Sequence, residues 1–179
     1  MAGTKVPRPG PHDEDVERRH MAMIRDDVAK YLKDDNTGDD LTTAMDDVRK
    51  AMKFETDGYR IAEYLDGRGW SADAELVELM DRLAGDRYGA ETEAVEEWVK
   101  VNGILPGVAV GDHVVITRSH PKQKGQRGEV VAVDAKRARC TVMVPAQGHV
   151  KTGNGTHGWV VDVEEVEHVS ADATENAAR

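Results

Sequence analysis

The chain has 179 residues, enough for one ordinary domain or two small ones with a real core. Its formal net charge of −10, with 32% charged residues and no run of 18 apolar positions, describes a well-hydrated chain and leaves no sequence for a membrane-spanning helix. One cysteine, Cys140, rules out an internal disulfide or a Cys-rich zinc site; the N-terminus has no apolar stretch of a secretory signal, so a cytoplasmic location is expected.

Residues 1–12 are rich in Pro and Gly and poor in apolar side chains, which predicts a disordered or partner-ordered tail. From 13 to 105 the apolar period is helical. Met21, Ile24, Val28 and Leu32 fall on one helix face, and Leu41, Met45, Val48 and Met52 repeat the pattern after the breaker "DDNTGDD". Ile61, Tyr64 and Leu65 mark a third helix, which Gly67 or Gly69 closes. Ser71 is placed to cap a fourth, with Asp73 and Glu75 near its positive end and Leu76, Met80 and Leu83 facing inward. "ETEAVEEWVKVN" reads as a fifth helix carrying Val95, Trp98 and Val99, ended by Gly103 and Pro106. This is an acidic bundle of four or five short helices.

The period then changes from 3.6 to 2. "HVVITR" alternates Val114 and Ile116 against His113, Val115 and Thr117; "RCTVMV" places Cys140, Val142 and Val144 on one face. "DAKR" joins "GEVVAV" to that strand as a hairpin, and "GWVVD" and "VEHV", linked by "VEE", supply two more strands. Five short strands with Gly-rich connections predict a small antiparallel β-barrel over 108–169, then a frayed tail at 170–179. The predicted class is α+β, helices first and barrel second.

Charge is split between the halves. Residues 1–104 hold 15 Lys or Arg against 25 Asp or Glu, a balance of −10, whereas 112–139 hold 7 against 3, a balance of +4. An acidic front half repels a polyanion, so any nucleic-acid contact is expected in the 118–127 loop: Arg118, His120, Lys122, Lys124 and Arg127, with Lys136 flanking. The plainer alternative is a solvated loop that keeps a sheet edge soluble. No aromatic side chain lies among these cations to stack on a base, which argues against ordinary single-strand readout.

"VGDHVVI", "KGQRGEVVAVD" and "RCTVMV" together resemble the KOW motif of SH3-like barrels, found in ribosomal proteins and transcription-elongation factors. Gly111-Asp112, Val114, Ile116, Lys124-Gly125, Gly128, Val130, Val133 and Asp134 carry the likeness, which spans 108–144 directly. The glycines suit backbone angles that β-branched residues resist, and the valines suit a narrow barrel interior. The resemblance implies an SH3-like barrel that binds RNA, protein tails or other subunits; it does not extend to the helical half.

Chemistry-bearing residues have structural readings beside functional ones. His113, His120, His149, His157 and His168 lack the short-spaced pair of a metal site and read as surface histidines. Cys140, mid-strand among valines, reads as a small buried hydrophobe. The "DD" pairs in the helical half lack the terminal Glu of a calcium loop and read as solvated helix ends. Trp98 reads as core and Trp70 as a staple between helices, while Trp159, at a strand start, is a candidate partner-facing side chain. No paired nucleophile and base, phosphate loop or metal cluster is visible, so neither an enzyme nor a cofactor is expected. The expected function is that of an adaptor: the barrel docks onto a nucleic acid, ribonucleoprotein or large protein complex through the 118–127 and 147–158 loops, and the acidic helices meet a protein partner. The alternative is a structural subunit of a phage particle or other symmetric assembly.

Overall fold

The computed structural model describes residues 6–34, 40–118, 121–144 and 157–169. Over these residues it is α+β: four helices, then a five-stranded antiparallel sheet. Two compact units are present, Met1–Trp98 and Val99–Arg179. No helix among the described residues is long and apolar enough to cross a membrane. His120, His149, the 147–158 loop up to 156, residues 1–5 and the 170–179 tail lie outside the described residues, as does the side chain of His157.

Helix α1 (Glu14–Asp34) opens where the Asp13 carboxylate accepts the Gly10 N–H at 2.6 Å, and Glu14, Asp15 and Glu17 place negative charge at its positive end. It buries Ile24, Val28 and Leu32, with Met21 packed at the margin, as the spacing predicts. Helix α2 (Leu41–Met52) buries Ala44, Val48, Ala51 and Met52. Helix α3 (Gly58–Asp66) is capped by the Asp57 side chain, which accepts the Arg60 N–H, and buries Ile61 and Leu65. Tyr64, expected inward, is exposed; Arg68 stacks over its ring and donates to its hydroxyl at 2.8 Å. Trp70 does act as a staple: it is buried and stacks on Tyr31 of α1, with ring centroids 6.0 Å apart.

The fourth and fifth predicted helices are one, α4 (Ala74–Asn102). Its cap is Asp73, whose carboxylate accepts the Leu76 N–H at 2.8 Å, rather than Ser71. Gly85 and Gly89 each cost a helix about 1 kcal/mol, yet the buried stripe of Leu76, Met80, Leu83, Ala90 and Ala94 runs through them without losing phase. Arg87 falls on that stripe and spends its guanidinium on backbone carbonyls, donating to Pro11 O at 2.6 Å and to Met52 O at 3.3 Å. Trp98, expected in the core, is half-buried; its indole N–H donates to Val6 O and Arg8 lies over its ring. Residues 6–12 of the predicted tail therefore hold fixed contacts along α4.

The sheet comprises β1 (His113–Ile116), β2 (Arg127–Asp134), β3 (Arg139–Val144), β4 (His157–Asp162) and β5 (Val166–His168), in the order β4-β3-β2-β1-β5. Its buried face holds Val114, Ile116, Val130, Cys140, Val142, Val161 and Val166, with Val133 and Val144 against them. Val130 and Val133 are three apart and share this face because the β2–β3 register slips between Val130 and Ala132, a bulge that resets the alternation. Gly111 (φ 94°) and Gly125 (φ 83°) occupy the left-handed region, as expected. Gly128 is required for a different reason: a Cβ there would lie 2.8 Å from the Met143 carbonyl carbon. The β2–β3 turn is 135–138, one residue later than predicted, with the Asp134 carboxylate accepting the Lys136 and Arg137 N–H groups.

A 3-10 turn, Val163–Glu165, joins β4 to β5, the two outer strands. In a flat five-stranded sheet those edges would be roughly 19 Å apart, farther than the roughly 14 Å that four extended peptide steps can reach. The sheet therefore coils strongly. In hydrogen-bond order it is open, since no ladder joins β4 to β5 among the described residues.

Candidate functional site

The β1–β2 connection, 117–126, is pinned at its base. Gly125 N–H donates to Ile116 O at 2.7 Å and Ile116 N–H to Gln126 O at 2.9 Å. The Gln126 side-chain amide donates to Lys122 O at 2.5 Å, and Thr117 donates to Glu165 O through both its N–H and its hydroxyl. This backbone presents Arg118, Lys122, Lys124 and Arg127, all exposed. Arg118, Lys124 and Arg127 have no carboxylate within ion-pair distance among the described residues. Such cations keep their donors available to an external acceptor.

Two predicted members lie elsewhere. Lys136 sits in the turn at the far end of β2, and a strand of eight residues separates it from Arg127 by roughly 23 Å; it does not flank the loop. Trp159 lies opposite Val142 on β4 and packs, half-buried, against the sheet core, away from the loop cations.

The fold also brings in acids that a count along the chain does not see. Pairing of β5 with β1 sets Glu167 across Val115 from Arg127 on the outer face, and the Val163–Glu165 turn places Glu164 and Glu165 beside the base of the loop. Glu129 lies opposite His113 on the same face. The base is thus mixed in charge, and the tip carries the cations Lys122 and Lys124, while Lys136, Arg137 and Arg139, which also enter the +4 count, sit at the far end of β2.

The remaining groups are accounted for locally. His168 Nε2 lies 2.9 Å from Gly107 O and its Nδ1 3.9 Å from the Asp112 carboxylate. Burial pushes the Cys140 thiol above its ordinary pKa, which disfavours the thiolate a nucleophile needs. Among the described residues no three His, Cys, Asp or Glu side chains are grouped to hold a metal. Comparison with known proteins finds neither a family model nor a curated protein that matches this chain, so the reading of the loop rests on its geometry and charge.

Proposed function

We propose that this chain is a non-enzymatic, cytoplasmic adaptor whose sheet unit is an SH3-like barrel of the KOW type. The strand order β4-β3-β2-β1-β5, with a three-residue 3-10 turn between the outer strands, supports the barrel reading. The barrel docks through the 118–127 loop onto RNA, DNA or a ribonucleoprotein, and the acidic helical unit contacts a protein partner. One observation carries this: Arg118, Lys124 and Arg127 stand exposed on a pinned loop with no carboxylate partner among the described residues. With no aromatic ring among them, the contact is to phosphates and is largely indifferent to sequence.

Titration of a fluorescent duplex across a salt series tests it. Four phosphate contacts predict that log affinity falls with log salt with a slope of roughly −3 to −4. Lys122→Glu with Lys124→Glu is expected to reduce that slope by about 2 and to weaken binding at least about ten-fold at low salt. Absent binding, or affinity unchanged in the variant, overturns the reading.

A second reading, a structural subunit of a phage particle or other symmetric assembly, is favoured by Val101, Leu105 and Val110. These are three largely exposed apolar side chains within ten residues of chain.

A further inference from the structure

We propose that the corner between α2 and α3 is a docking site for a Lys/Arg-rich segment of a partner protein. It rests on the reading that the helical unit contacts a protein, and it names that partner's chemistry. Phe54, the chain's one phenylalanine, is 81% exposed in the turn after α2, and Tyr59 at the start of α3 is 65% exposed. A helical unit with room in its core for Trp70 and Tyr31 leaves these two rings in water. Exposed aromatics so close together in the chain mark contact surface more often than chance placement does.

The surroundings set the kind of partner. Tyr59, Glu63 and Asp66 are exposed at i, i+4 and i+7, one stripe along α3, and Glu55 and Asp57 lie in the chain between the two rings. Among the described residues Glu55 is met by Arg60 at 3.9 Å. An apolar partner would have to strip water from these carboxylates without replacing it. A cationic one satisfies carboxylates and ring faces together. The corner already shows the geometry in miniature, with Lys53 Nζ 5.7 Å from the Phe54 ring centroid. Charge over residues 1–104, 15 cations against 25 anions, draws such a partner in.

The corner is also fixed in advance. Asp57 caps α3 through the Arg60 N–H, and Asp81 of α4 accepts the Gly58 N–H at 2.6 Å, so the two rings flank backbone that is held at both sides. A preset surface loses less entropy on binding.

Calorimetric titration of the full chain with a short Arg/Lys peptide, and with a Ser/Gly/Leu peptide of equal length, tests the proposal. The basic peptide is expected to bind and the neutral one not. Phe54→Leu with Tyr59→Leu keeps apolar area but removes the ring faces, and is expected to weaken binding by about ten-fold, while Phe54→Tyr retains it. Circular dichroism and an unchanged urea midpoint establish that the variants fold. Equal affinity of wild type and the Leu variant overturns the proposal. So does self-association of the chain that the Leu variant abolishes, which would make a second copy the occupant. Binding of the neutral peptide alone discards the basic partner but keeps protein docking by this unit; binding of neither discards both. Duplex binding by the 118–127 loop is expected to be unaffected by these variants.

Discussion

His20 is an imidazole 3% exposed in α1, its Nε2–H donating to the Leu83 carbonyl of α4 at 2.7 Å. Burial holds its pKa below the ordinary 6.5; Arg87 lowers it further, while the Leu83 carbonyl, Asp86 and Glu17 act the other way and do not prevail. The unfolded chain therefore takes up this proton at a higher pH than the folded one. Stability from neutral His20 is complete above about pH 6.5 and is lost as pH falls below it. The urea midpoint is expected to drop between neutral pH and about pH 5, and His20→Leu is expected to flatten that step. Asp46, held down to about 2 by Lys50 and Arg49, acts only at far lower pH. The spacing of Val16, His20 and Ile24 puts His20 on the buried stripe, but nothing in the sequence announces that a carbonyl waits across the helix pair. Its partner is 63 residues away.

At the scale of elements, α3 docks against α4 so closely that only a glycine fits. A Cβ on Gly58 would lie 2.6 Å from the Asp81 backbone nitrogen, which no rotamer change relieves. Gly58→Ala is expected to cost about 2–3 kcal/mol, read as a lowered urea midpoint; Asp81→Ala, which removes the acceptor of the Gly58 N–H but introduces no clash, is expected to cost less. Helices and strands were legible because burial here alternates locally: Ile24, Val28 and Leu32 at one period, Val114 and Ile116 at the other. What escaped was non-local. Gly85 and Gly89 look like a break until the Leu83–Ala90 stripe is seen to continue through them. Lys136 looks like a neighbour of Arg127 until the strand between them is laid out straight. Glu164, Glu165 and Glu167 join the loop only because β5 pairs with β1. The cationic tip itself was legible, since Lys122 and Lys124 share one turn.

Across the whole molecule, charge and architecture divide together: an acidic helical unit with exposed rings at one corner, and a coiled valine-lined sheet with a cationic loop. Each unit has its own core, and each carries the kind of surface that a partner of opposite charge completes. This division is what the proposed adaptor role rests on, in which affinity goes to other molecules rather than to copies of the chain. Light scattering of the pure chain on a sizing column, alone and with a short nucleic-acid duplex, separates that account from a structural subunit most directly. The account predicts a 19.7 kDa monomer whose mass rises by one duplex on mixing. A discrete high-order oligomer whose mass the duplex leaves unchanged would contradict it.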